Sequence, residues 1–231
     1  MSRVLVIPDT HCPAMLPEFP DWLREIYDQW QCERVVHIGD LVDNVALNFH
    51  KKHCELKNPI VEREKALKQV AKLVEAFPKA DWLLGNHDVL PWRWCDEVGI
   101  PQEYMRRPAS IWQTKGWKCH QRYTSLLIDG VIYRHGDMGK GGRMPATTNA
   151  VAEGTSIVQG HHHTSAGVEY ISNSRGRLFG MQVGTGIDVN SLHFEYGRKF
   201  GPNRCVVGCG VVIDGHTAVF EPMPTKKRRR K

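Results

Sequence analysis

Residues 35–43 read Val35-Val36-His37-Ile38-Gly39-Asp40-Leu41-Val42-Asp43, a short apolar run halted by a glycine and followed at once by carboxylates. An apolar run of that length, bounded by glycine, predicts a buried strand whose end carries polar groups. The same pattern flanks it on both sides. Residues 4–7 run into Asp9-Thr10-His11, and residues 82–84 run into Gly85-Asn86-His87-Asp88. Between the first two runs Trp22, Leu23, Ile26, Tyr27 and Trp30 recur at helical spacing. Between the next two, Leu67, Val70, Ala71, Val74 and Phe77 form an apolar stripe closed by Pro78. Strands alternating with helices predict a parallel sheet with right-handed crossovers.

Farther out the character changes. Residues 125–128 and 131–134 flank Asp129-Gly130, a strong two-residue hairpin signal, and Asp214-Gly215 repeats it. Residues 157–159, 168–171, 178–183, 206–213 and 218–220 are further strand candidates with few helices between them. The chain therefore reads as α/β, with two sheets packed face to face and helices outside. No repeat or linker divides it, so one domain is expected over residues 1–222, followed by a basic segment, 223–231, disordered when free.

Composition limits the function classes. With 231 residues and a 41% hydrophobic share, the chain has ample material for a single core. No stretch approaches the roughly 20 apolar residues of a membrane span, and the run near Met1 is too short for a secretory signal, so no membrane partner and a cytoplasmic location are expected. The cysteines (Cys12, Cys32, Cys54, Cys95, Cys119, Cys205, Cys209) are odd in number and lack Cys-x-x-Cys spacing. That argues against a disulfide framework and a thiolate zinc site. The net charge is +6, but Lys226, Lys227, Arg228, Arg229, Arg230 and Lys231 account for it: 31 − 6 leaves 25 cations against 25 acids. The excess sits on a segment that offers a contact to DNA or RNA and says nothing about the body.

Five polar clusters each follow an apolar run: Asp9-Thr10-His11, Gly39 to Asp43, Gly85 to Asp88, His135-Gly136, and Gly160-His161-His162-His163. In open α/β sheets ligand groups gather beyond the carboxyl ends of the strands. In extended backbone Asp9 and His11 share a side, as do His161 and His163, so each pair is expected to serve one place. Imidazole nitrogens mixed with carboxylate and amide oxygens suit borderline divalent metals such as Mn, Fe, Zn or Ni. One carboxylate can bridge two such ions, and a pair roughly 3.5–4 Å apart can clamp a phosphate and activate water. Singly, Asp9 also reads as a helix cap and Gly85-Asn86 as a turn.

In order, D-x-H, G-D-x-x-D, G-N-H-D, H-G and G-H-x-H resemble the calcineurin-like metallophosphoesterase superfamily, from Asp9 to His163. The compact chain is similar to small stand-alone phage and bacterial members. The resemblance implies a β-sandwich of two mixed sheets flanked by helices, and hydrolysis of phosphate esters by a metal-activated hydroxide. It implies one metal on Asp9, His11, Asp40 and His163, and a second on Asp40, Asn86, His135 and His161, manganese foremost. His87 would donate to the leaving oxygen, with Asp43 holding its far nitrogen. Asn44, where family protein phosphatases carry Arg, disfavours a phosphoprotein. A phosphodiesterase or nuclease acting on nucleic acid or nucleotides is the leading reading. A phosphomonoesterase, or a catalytically dead scaffold that binds partners, is the alternative. Arg93 and Arg143 are weaker substrate candidates. Trp92 and Trp94 read as packing residues, with base stacking as the other possibility. His162 is expected to face away from the cluster.

Overall fold

The apolar runs of the first half lie side by side because each, buried on both faces, can satisfy its backbone only by pairing with another. A computed structural model of the chain describes residues 2–49, 52–174, 176–194 and 205–224. Strands β1 (Arg3–Ile7), β2 (Arg34–His37), β3 (Asp81–Leu83) and β4 (Lys118–His120) pair in parallel, in that order. Strands β5 (Leu126–Ile128), β6 (Val131–Arg134), β7 (Ile157–Gln159), β8 (Ala166–Asn173) and β9 (Gly176–Val183) form a second sheet in the order β5-β6-β7-β9-β8. Its centre, β6, β7 and β9, is parallel. The chain then returns to the first sheet. There β10 (Gly208–Ile213) pairs antiparallel with β1, and β11 (Thr217–Pro222) closes the edge.

Period two sorts the core. Val4 and Val6 of β1, Val36 of β2 and Leu83 of β3 face the second sheet, where Tyr133, Val158, Phe179 and Met181 meet them. Leu5, Ile7, Val35 and Trp82 take the opposite face, under helices α1 (Phe19–Gln29) and α2 (Pro59–Ala76). Both expected hairpin turns carry positive φ at each central residue: Asp129 at 49° and Gly130 at 78°, Asp214 at 52° and Gly215 at 75°. Between the paired Ile128 and Val131 this is the twist-matched two-residue turn, whereas Ile213 pairs with Thr217, so the second loop has three residues, Asp214 to His216. The outcome is two mixed sheets face to face, flanked by helices. Among the described residues no helix is long and apolar enough to cross a membrane, and all seven cysteines are free.

Three further helices follow: α3 (Leu90–Glu97), the single turn α4 (Pro108–Ile111), and α5 (Pro145–Glu153). The apolar patterning does not reveal α3, α5 or β4. Boundary chemistry does mark α5, with Pro145 opening it and Gly154 closing it in the left-handed region. β4 shows no patterning because it is three residues long and only partly buried.

Candidate metal centre

The carboxyl ends of β1, β2, β3, β6 and β7 bring the five polar clusters together. The chain there is not extended. His11, Asp40 and His161 have φ of 46°, 48° and 66°, so backbone extension is not what decides which side chains meet. Tight turns at the strand ends aim the side chains instead. His163 meets Asp9 and His11, whereas His161 falls with Asp40 and His135. Asp9 and His11 thus serve one place, as expected, whereas His161 and His163 go to neighbouring places.

At the first place the Nε2 atoms of His11 and His163 stand 3.2 Å apart, and His163 Nε2 lies 3.0 Å from Asp9 Oδ2. At the second, His135 Nε2 lies 3.0 Å from Asn86 Oδ1, and the rings of His135 and His161 are 5.2 Å apart, edge to face. One oxygen sits between the two places. Asp40 Oδ2 is 3.6 Å from His11 Nε2 and 3.3 Å from His135 Nε2. Its partner Oδ1 accepts the His87 N–H at 2.8 Å, which fixes the carboxylate plane.

The surrounding groups hold the imidazoles in orientation. His135 Nδ1 lies 3.2 Å from the Ile38 carbonyl, and His11 Nδ1 lies 2.9 Å from Asp43 Oδ1. Such contacts set the tautomer that leaves Nε2 with its lone pair. His87 Nδ1 is 2.7 Å from the Asp43 carbonyl oxygen and 3.2 Å from Asp43 Oδ1. Asp43 therefore serves His11 and His87 together, an arrangement the spacing of the motif does not disclose. His87 also groups with His11 and Asp40.

Asp9, Asp40 and Asp43 are fully buried or nearly so. Buried carboxylates need compensating positive charge. Protonated imidazoles are one source of it. Burial works against a charged His135, but Asp40 and Asp9 outweigh it and push its pKa up to about 10. Burial likewise opposes a charged His163, yet Asp9 and Cys205 carry it up to about 10. Asp40 is held well below the carboxylate range by His135 and His87, against the effect of burial. Convergent imidazoles, buried carboxylates and an amide oxygen fit divalent cations, whose binding displaces such protons.

Glycines set the spacing. A Cβ on Gly85 would overlap Asp40 Oδ1, and one on Gly160 would overlap Asp9 Oδ1, so the backbone approaches both carboxylates as only glycine allows. Asp88 ties two motifs together, accepting from Gly85 N at 2.9 Å and Val42 N at 3.2 Å.

A family model described as calcineurin-like phosphoesterase matches residues 2–189. The chain belongs to that family. As a calcineurin-like phosphoesterase it is a hydrolase of phosphate esters, and its Asp and His clusters are able to bind metal ions. YfcE, a phosphoesterase from E. coli, is 15% identical, with 91% of this chain and 88% of that one covered at a TM-score of 0.44. The nuclease MPE of Pseudomonas putida is 12% identical, with 94% and 85% covered at a TM-score of 0.38. No curated protein matches the sequence.

The remaining candidates lie elsewhere in this phosphoesterase. Arg93 is exposed on α3, its guanidinium 5.5 Å from the Phe49 ring. Arg143 lines an open groove with Lys140, Thr147 and Glu169, to which none of the clustered residues contributes. His162 is partly buried with its ring 5.1 Å from that of His161, so it packs beside the cluster. His37 is buried, 3.1 Å from Thr10 Oγ1, and burial pushes it down to about 3. The basic run 226–231 lies outside the described residues. Two contributors carried no metal-type signal. The Thr185 hydroxyl donates to the Asp9 carbonyl at 2.7 Å, and the Asn44 amide donates to the His87 carbonyl at 2.9 Å. Asn44, at φ 51°, thus braces the loop that presents His87.

Proposed function

We propose that this chain is a dinuclear-metal phosphodiesterase acting on nucleic acid or nucleotides. The observation that carries the reading is the position of Asp40 Oδ2 between His11 Nε2 and His135 Nε2. A carboxylate oxygen shared by two imidazole-bearing clusters is a bridging ligand in waiting. One ion would be held by Asp9, His11, Asp40 and His163, the other by Asp40, Asn86, His135 and His161, with manganese the best match and iron, zinc or nickel as alternatives. When bound, such ions act as Lewis acids on phosphoryl oxygens and lower the pKa of water.

The protein groups do the rest. Burial disfavours a charged His87, but Asp40 and Asp43 overcome it and bring its pKa to about 9, so the ring holds its proton near neutrality. With Nδ1 committed to Asp43, Nε2 is the nitrogen that donates to the leaving oxygen. Asn44 and the His87 N–H bond to Asp40 hold the loop that presents this donor. The basic run 226–231 favours nucleic acid as the substrate, and Asn44, where family protein phosphatases carry Arg, disfavours a phosphoprotein. The test is turnover of a generic phosphodiester and a generic monoester by the Mn-loaded chain. Higher kcat/KM for the diester, abolished in Asp40→Ala, is the result expected; a monoester preference overturns it.

A further inference from the structure

Phe49 and Trp94 are 62% and 37% exposed, yet they are not loose. Their rings stack at 5.1 Å with 26° between planes, and the Arg93 guanidinium lies 5.5 Å from the Phe49 centroid. The 3-10 turn Val45–Leu47, which ends two residues before Phe49, is fastened along its length. Buried Glu62 accepts from Val45 N and Ala46 N at 2.7 and 2.9 Å. Lys52 Nζ donates to the Ala46 and Asn48 carbonyls at 3.0 and 2.6 Å. The Trp94 indole donates to the Leu47 carbonyl at 2.6 Å. An apolar ring held in water by a braced backbone does not arise from slack packing. The bracing makes it a preorganised contact surface.

Its place in the fold limits the occupant. The turn begins directly after Asn44, whose amide grips the His87 carbonyl, and α3 begins with Leu90 N–H donating to that same carbonyl. Arg93 and Trp94 follow within about 6 Å of axial rise. The surface therefore starts where the loop bearing the proposed proton donor ends. Among the described residues Arg93 forms no ion pair with a carboxylate, so its charge is available to an anion. Flat aromatic faces beside a cation, adjoining a phosphoesterase centre, match the base and phosphate of a nucleotide ester. We propose that Phe49 and Trp94, with Arg93 beside them, stack a nucleobase of the substrate and so determine its preference for nucleotide diesters. This rests on the diesterase reading.

The experiment compares a thymidine dinucleotide with a glycerol phosphodiester, which has no ring, on the Mn-loaded full-length chain. Phe49→Ala should raise KM for the dinucleotide about tenfold, leave its kcat within about twofold, and leave KM for the glycerol ester unchanged. Phe49→Trp should restore the dinucleotide KM. Trp94→Ala also severs the bond to Leu47, so Trp94→Phe isolates stacking and should stay near wild type. Equal losses on both esters would show a packing role, and no change on either would mark the patch as a contact for some other partner; each overturns the proposal. Should the wild-type chain cleave neither ester, the diesterase reading fails. Equilibrium dialysis of the dinucleotide then decides the platform alone, with weaker binding to Phe49→Ala supporting it and equal binding overturning it.

Discussion

Asp40 illustrates how much one side chain can carry. Its Oδ2 faces two imidazole clusters and its Oδ1 anchors the backbone of His87. Asp40→Ala should therefore empty both metal positions, whereas His163→Ala should chiefly weaken one; elemental analysis of the purified variants measures both. His87→Ala should keep its metals and fold while losing roughly 10²–10⁴ in turnover, as removal of a general acid does. Asp43 is the more informative position. Because its Oδ1 lies near both His11 Nδ1 and His87 Nδ1, Asp43→Asn should lower turnover and also weaken metal retention by roughly 10–100-fold. Metal titration of that variant separates the two effects, and unchanged retention would restrict Asp43 to His87.

At the scale of elements, the strand-end turns and the Val45–Leu47 turn do the positioning. Gly85→Ala puts a methyl group onto Asp40 Oδ1, so it should cost metal content before it costs secondary structure; circular dichroism beside elemental analysis checks the order. Glu62 supports the other turn. Burial raises its carboxyl from 4.5 to about 7, although the Ala46 and Val45 amides favour the charged form. The folded chain then binds this proton more tightly than the unfolded one. Stability contributed here is complete below about pH 4.5 and declines as pH rises through about 7. Glu62→Gln should flatten that decline, seen as a smaller fall in urea midpoint between pH 4.5 and 8 at fixed metal.

For the molecule as a whole, the charge distribution is the feature with consequences. Residues 1–225 carry 25 cations and 25 acids, so the net positive charge that favours a polynucleotide lies on 226–231. If that run recruits nucleic acid, binding should weaken with salt at a log–log slope near −0.7 to −0.9 per phosphate contact. Truncation after Thr225 should flatten the slope and raise KM for a polynucleotide, while turnover of a small diester stays the same. Unchanged polynucleotide binding would leave the run with no role in recognition.

Sequence alone was enough for every strand of the two sheets but β4, for the two long helices and for the positions of both hairpins. Each rests on local rules: period two, helical periodicity, and positive φ at Asp-Gly. The order of five polar clusters was likewise enough to expect a metal-type ligand set, because residue chemistry and strand-end placement are local facts. Tertiary structure alone decided which ligand-type residues meet. The left-handed turn at His161 parts it from His163, which extended backbone would have paired with it. It alone showed Asp43 serving two histidines, Asn44 bracing the His87 loop, and Phe49 stacked on Trp94 in solvent. These are contacts between segments 40 to 50 residues apart, or between β1 and the loop after β2, and no local period records them. α3 and β4 fell between the two kinds of knowledge. They are too short to show a period; β4 is held by pairing with β3, and α3 by packing against the Val45–Leu47 turn.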